Sequence, residues 1–382
     1  MSNMGQDFHP VFCIIPPHMA ERILEKGTPG QKAKVEKYIR IAGQMRGQRQ
    51  TLAELTRKAQ PEAGERIRKV YDAQNASELP GILVRSEGDA PTGDAAADEA
   101  YDGSGATHDL YAEVFGRNSI DNRGMELLST VHYLEGYDNA FWNGEQMVYG
   151  DGDEDLPEEE RLFNRFTIAI DIIAHELTHG VTQYEANLVY RNQAGALNES
   201  FSDVFGSLVK QGVKNQTAEE ADWLIGEGLF TDRVNAAGIR SMKAPGTAYD
   251  DPVLGRDPQP AHMNDYVDTT ADNGGVHINS GIPNKAFYNV ALELGGYAWE
   301  KAGQIWYRTL CDELDQDSDF QAAANACHKV AADLYGSSSP EQKAVYNGWK
   351  GVGIIPVSDQ HGGCGGWLGR AWRSVFGGRK AS

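Results

Sequence analysis

The pentapeptide His175-Glu176-Leu177-Thr178-His179 constrains this chain more than any other feature. It lies in an apolar stretch, residues 166–181, whose pattern predicts a helix. Residues four apart on an α-helix are rotated by only about 40°, so both imidazoles leave one face a turn apart. That geometry suits two nitrogen ligands on a single Zn2+, with the intervening Glu close enough to meet a water on the metal. A chain with ten His in 382 residues carries such a pentapeptide by chance about twice in a hundred. Two His and a Glu on a wet helix face therefore stand as the alternative at this point.

A catalytic zinc needs a third protein ligand and an open coordination position. Past His179, Asn198-Glu199-Ser200-Phe201-Ser202-Asp203 opens a further helical pattern. Glu199 can supply the third ligand. Asp203, on the same helix face, can accept the outer N–H of a ligating His, which fixes its tautomer and raises its basicity. Two carboxylates on one face of a buried helix are costly without such partners. A second block, Asp272-Asn273-Gly274-Gly275-Val276-His277-Ile278-Asn279-Ser280-Gly281, puts a Gly pair before His277 for a tight turn. Asp272 can orient and charge that imidazole, and Tyr190 and Arg240 complete a set of donors for an oxyanion.

Composition excludes several classes. The chain is 40% hydrophobic with a mean hydropathy of -0.50, and no segment approaches the roughly 18 apolar residues of a membrane helix. Its length suits two to three domains. A net charge of -20 argues against a nucleic-acid partner. Cys13, Cys311, Cys327 and Cys364 are too few for a disulfide scaffold; Cys311 and Cys327 are either paired or two buried thiols. The first ten residues lack a basic start and an apolar run, so no ordinary signal peptide is visible and the protein is expected in the cytoplasm or exported by another route.

Charge is uneven along the chain. Residues 1–70 hold thirteen Lys and Arg against seven Asp and Glu, a net +6, which leaves -26 for the rest. Residues 31–59 read as helix-rich, either a solvated surface helix or a detachable basic segment drawn to an acidic body. Residues 81–85 and 146–149 read as strands, and residues 89–105, rich in Ala, Gly and Asp, as a flexible loop. Helical patterns follow over 161–184, 197–211, 282–294, 301–314 and 320–335, which together predict an α+β chain of two lobes.

With the further blocks Asn139-Ala140-Phe141-Trp142-Asn143-Gly144, Met147 to Gly152 and Arg240-Ser241-Met242, the sequence resembles the thermolysin (M4) family of zinc metalloproteases, particularly its protealysin branch with short propeptides. The resemblance covers nearly all of residues 70–355. It implies a β-rich N-terminal lobe and a helical C-terminal lobe with the zinc helix between them, and the boundaries 1–60 for a propeptide, 61–183 and 184–356 for the two lobes, and 357–382 for a tail. It implies a zymogen-derived endopeptidase that cuts before bulky hydrophobic residues by attack of a zinc-bound water. His175, His179 and Glu199 would bind zinc, Glu176 would be the general base, and His277 and Tyr190 would stabilise the tetrahedral intermediate. Asp272 would orient His277, and Asp203 would support His175. Asn139 and Ala140 would bind the substrate backbone, Arg240 a substrate carbonyl, and Phe163, Phe166, Ile172 and Ile239 would line the pocket for the residue after the cut.

Two departures matter. Asp171, Asp222 and Glu227 match acids that hold a pair of calcium ions in such enzymes, but Lys210 and Leu224 replace others, so at most one calcium, or an ion-free salt-bridge cluster, is expected. Ile14-Ile15-Pro16-Pro17-His18-Met19 resembles the motif of protealysin-type prosegments, and Pro-Pro predicts a stiff extended stretch lying in the cleft. The +6 segment and -26 body support a bound inhibitory prosegment, removed by self-cleavage near residues 50–70; in the alternative, His9 or His18 ligates zinc in the precursor. Trp367, Leu368, Ala371, Trp372, Val375 and Phe376 recur at helical spacing beside Arg370 and Arg373, a pattern for a basic amphipathic helix that touches a membrane or a partner; packing on the enzyme or remaining disordered are the favoured alternatives. Family members are commonly secreted.

Overall fold

The computed structural model describes residues 14–39 and 66–357. His9, the tail pattern of residues 367–376 and most of the expected cleavage region lie outside them. A mixed five-stranded sheet is built from β1 (Arg68–Asp72), β2 (Ile82–Ser86), β3 (Leu127–Val131), β4 (Ala140–Trp142) and β5 (Met147–Tyr149) in the order β2-β1-β3-β5-β4. β1, β3 and β5 are parallel neighbours, whereas β2 and β4 pair antiparallel at the two edges. β4 and β5 are wholly buried, as strands covered on both faces must be.

Of the stretch expected as a flexible loop, residues 89–94 are irregular, but residues 95–105 belong to helix α3 (Ala95–Asp109). Asp94 caps it, accepting the N–H of Ala97 at 3.0 Å. Its glycines serve close approach: a Cβ on Gly103 would lie 2.5 Å from Ile173 Cδ1 of helix α4 (Ile170–Tyr184). Tertiary packing thus overrides a composition that reads as a linker. Residues 161–169, expected in the zinc helix, are not helical, because Asp153 Oδ2 accepts the N–H groups of Leu162 at 2.7 Å and Phe163 at 2.9 Å.

Beyond α4 the chain is mainly helical. Helix α5 (Asn192–Lys214) packs along α4 and ends on Asn215 in the left-handed conformation. Two short hairpins follow, β6 (Leu224–Ile225) with β7 (Arg240–Ser241) and β8 (Asp250–Asp251) with β9 (Gly255–Arg256). Then come α6 (Asp272–Asn279), α7 (Gly281–Leu294), α8 (Ala302–Arg308), α9 (Phe320–Tyr335) and α10 (Pro340–Lys350). The pattern over 301–314 is realised as α8 continued by a π-helical turn, Thr309–Glu313. Trp306 stacks on Trp349 at 6.1 Å and meets Phe287 edge-on, closing this core. Cys311 and Cys327 are free thiols, each pushed up to about 12 by burial. Among the described residues, no helix is long and apolar enough to cross a membrane.

The N-terminal segment lies on this body. Pro16 is extended as expected, but Pro17 opens a helix, α1 (Pro17–Lys26), which its fixed φ suits. A second helix, α2, covers residues 29–39. Ahead of them Ile14 donates to the carbonyl of Ala140 and Ile15 to Asn139 Oδ1, both at 3.4 Å, so the backbone of this segment lies along edge strand β4.

Candidate metal centre and substrate cleft

α4, α5 and α6 converge on one buried cluster. His175 and His179 project from one face of α4, and their Nε2 atoms lie 3.1 Å apart. His175 Nδ1 faces Asp203 Oδ1 at 2.8 Å, and His179 Nδ1 faces Asn198 Oδ1 at 2.8 Å and Ser202 Oγ at 3.0 Å. Asp203 also takes Arg240 Nε at 2.8 Å, Arg240 Nη2 at 2.7 Å and Asn284 Nδ2 at 2.8 Å. Burial would raise its pKa, but Arg240 and His175 outweigh that and hold it below the usual carboxylate range. An ionised carboxylate only accepts, so His175 carries its proton on Nδ1 and turns a lone pair inward.

Glu199 on α5 completes the set. Its Oε1 lies 3.4 Å from His179 Nε2 and its Oε2 3.6 Å from His175 Nε2, and Oε2 is buried with no hydrogen-bond partner among the described residues. An inward imidazole lone pair beside a second imidazole nitrogen and an unsatisfied carboxylate oxygen is an arrangement that a divalent cation resolves. His175, Glu176 and His179 also group within metal-ligating range of one another. The residues present therefore fit zinc. Glu176 is fully buried on the same helix, and its Oε2 accepts the N–H of Trp142 at 3.1 Å, which ties it to β4.

α6 brings the donors. Asn273, Gly274 and Gly275 all have positive φ, and a Cβ on Gly274 would meet Asn192 Oδ1 at 2.1 Å. This left-handed turn lets Asp272 reach forward to His277, accepting its N–H at 2.8 Å and contacting its Nδ1 at 2.6 Å. Burial opposes charge on His277, but Asp272 and Glu199 outweigh it and lift its pKa to about 9. Tyr190 donates to Glu199 Oε1 and lies 3.1 Å from His277 Nε2.

The residues expected to meet substrate have these surroundings. Asn139 and Ala140 meet the N-terminal segment, as described. Asn139 Nδ2 and Arg240 Nη1 are buried and make no hydrogen bond among the described residues. Phe163 packs on Phe166 at 5.9 Å, and Ile172 and Ile239 flank Gly226. Sequence reasoning missed Phe230, 5.4 Å from Phe163, and Asn198 and Ser202, the partners of His179. The last two share the α5 face of Glu199 and Asp203 at helical spacing, which was the available signal.

His18 lies part-buried beside Asp272, His277 and Arg240. Its Nε2 bonds the hydroxyl of Tyr249 at 2.8 Å. Asp171, Asp222 and Glu227 do converge, and Lys210 Nζ stands among them at 3.4, 2.9 and 3.3 Å.

Comparison with known proteins gives a consistent picture. Residues 31–183 match the family description "Thermolysin metallopeptidase, catalytic domain" and residues 186–354 its "alpha-helical domain". An "Extracellular metalloprotease" of Pectobacterium carotovorum subsp. carotovorum is 49% identical over 346 residues, 90% of this chain and 97% of that protein. "Protease PrtS" of Photorhabdus sp. (strain Az29) is 54% identical over 290 residues, 75% of this chain and 76% of that one. Among solved structures, the precursor of protealysin, a metalloproteinase from Serratia proteamaculans, superposes with a TM-score of 0.81 at 52% identity, covering 90% of this chain and 99% of that one.

Proposed function

The chain belongs to the thermolysin family of zinc metallopeptidases, and from that premise we propose that it is an endopeptidase made as a latent precursor, with His175, His179 and Glu199 as zinc ligands and Glu176 as general base. The observation that carries this reading is the pair of Nε2 atoms 3.1 Å apart beside an unsatisfied Glu199 oxygen. When bound there, zinc supplies Lewis acidity toward the scissile carbonyl and makes a water easier to deprotonate. Asp203, Asn198 and Ser202 hold the two imidazoles in the ligating orientation. Glu176 takes the proton of the attacking water and returns it to the leaving nitrogen, and its bond to Trp142 N fixes its position for both transfers. His277 and Tyr190 donate to the developing oxyanion, Asp272 keeping His277 charged for that purpose.

Asn139, Ala140 and the spare nitrogen of Arg240 hold the substrate backbone. The apolar wall of Phe163, Phe166, Ile172 and Ile239, joined by Phe230, favours Leu, Phe or Ile after the cut, a preference of about 1–3 kcal/mol per methylene. Residues 14–39 form the inhibitory prosegment, its backbone occupying the strand edge that substrate would use, with domain boundaries near 60 and 183 and self-cleavage near residues 50–70. The names of the relatives favour action outside the cell. The acids around Lys210 hold at most one calcium, the ammonium supplying the charge that a second ion would bring.

Casein digestion by the processed enzyme tests the core of this. Phenanthroline is expected to abolish it, and Glu176→Gln to retain zinc while losing about 10²–10⁴ in turnover. Near-normal turnover by that variant removes Glu176 from the mechanism.

A further inference from the structure

Away from the cleft, Lys34 on α2 crosses from the N-terminal segment into the sheet-bearing lobe. Its side chain is 7% exposed. Its ammonium reaches the Gly152 carbonyl at 2.9 Å, Asp153 Oδ1 at 2.9 Å and Asp138 Oδ1 at 3.4 Å, and it pairs closely with Asp155. Asp153 is itself 1% exposed and Asp138 9%, while Asp155 is 32% exposed at the rim. An ammonium has three N–H groups and no lone pair, and four oxygen acceptors surround this one. Elsewhere the segment buries apolar side chains, among them Ile14, Met19, Ile23, Val35 and Tyr38; of its polar contacts, buried Gln31 reaches the Glu160 carbonyl, and Lys37 makes an exposed one to the Glu135 carbonyl, both at 2.6 Å. Exposed contacts of that kind hold little, whereas withdrawing one partner from a buried pair strands the other's charge.

We infer that Asp138, Asp153, Asp155 and the Gly152 carbonyl form a lysine-recognition socket, separate from the zinc cleft, and that its ligand, the Lys34 ammonium, keeps the prosegment seated. This rests on the reading of residues 14–39 as an inhibitory prosegment. The socket selects an ammonium over a guanidinium, because the planar five-donor fork of Arg does not match acceptors grouped around a point. It also touches the specificity pocket: the second oxygen of Asp153 holds the backbone of Phe163 at 2.9 Å, so prosegment and pocket wall share one carboxylate.

The test uses the full-length chain carrying Glu176→Gln, which cannot process itself. A fluorescent peptide hydroxamate, a zinc-binding probe of the cleft, binds with an apparent affinity reduced by the fraction of molecules whose prosegment is displaced. Lys34→Met is expected to tighten probe binding at least about tenfold toward the value for the same protein freed of its prosegment by a trace of active enzyme. Asp155→Asn on the socket side is expected to act in the same direction, and the double variant to exceed the larger single change by less than additivity. Lys34→Arg is expected to resemble Met more than Lys; full latency in the Arg variant overturns the ammonium-specific socket. Ile15→Asp, aimed at the cleft contact, separates the two readings. If it opens the cleft and Lys34→Met does not, the socket falls and latency stands; if neither opens it, the latency reading itself fails. Thermal unfolding of each processed protein, whose sequence no longer contains residue 34, checks that the body is folded.

Discussion

His175 Nδ1 lies 2.8 Å from Asp203 Oδ1, and Asp203 is in turn pinned by two nitrogens of Arg240. The orientation of one imidazole is thus set by a carboxylate that cannot itself move without stranding a buried guanidinium. Asp203→Asn, which keeps the shape but loses the charge, is expected to weaken zinc binding about 10–100-fold. Competition against a chelator of known affinity measures this, and wild-type affinity in the variant excludes the orienting role.

His277 gives a prediction in pH. Its pKa is lifted to about 9, so the donating, protonated form persists at neutral pH and is lost as pH rises through that value. At the proposed zinc site a metal on Glu199 would neutralise that residue's share of the lift, while the share from Asp272 would remain. Asp272→Asn removes it, so the alkaline limb of kcat/KM is expected to move to lower pH. Tyr190→Phe, which deletes the neighbouring donor, is expected to cost about 10²–10³ in kcat without moving the limb. Coincident pH profiles for Asp272→Asn and the wild type contradict the assignment.

Much of this centre was legible because helical spacing fixes it. His175 and His179, or Glu199 and Asp203, must share a face wherever a helix forms, whatever surrounds them. Asp272 and His277 were legible through the Gly pair between them. What escaped depends on contacts between distant segments. Lys34 meets Asp138, Asp153 and Asp155 across more than a hundred residues of sequence, with no periodicity linking them. The charge imbalance indicated attraction between the two regions but could not name the pair. α3 escaped for a related reason: Gly103 is required by Ile173 on a neighbouring helix and Gly105 by the Arg68 side chain, and local composition reads the same residues as a linker.

The acids around Lys210 predict a conditional dependence on calcium. Asp171 is buried and its carboxyl is raised by that burial, so the ammonium 3.4 Å away matters to it. Lys210→Met is expected to cost about 2–3 kcal/mol, below the full value for a buried pair because Asp222 and Glu227 are partly exposed. Millimolar calcium is expected to restore part of that loss, with no comparable gain at this locus in the wild type. The shift in unfolding temperature between EGTA and calcium reads both, and a variant insensitive to calcium shows that the three acids do not form an oxygen cage.

On the proposed reading of residues 14–39 as a prosegment, His18 is expected to make its binding sensitive to acid. Its Nε2 is bonded to Tyr249, and the ring lies near Asp272, His277 and Arg240. Burial disfavours its charged form, and His277 and Arg240 oppose it further; Asp272 favours it but does not compensate, so the pKa falls to about 4 from 6.5. The seated prosegment therefore binds fewer protons than the released one. Its hold is fully present above pH 6.5 and declines as pH falls toward 4, by up to about a hundredfold. The measurement is the affinity of the hydroxamate probe for the full-length Glu176→Gln protein divided by that for its processed form, which cancels the titration of the probe and the zinc site. That ratio is expected to rise between pH 7 and pH 5 in the parent and to stay flat in His18→Gln. A flat ratio in both proteins removes His18 from the control of latency.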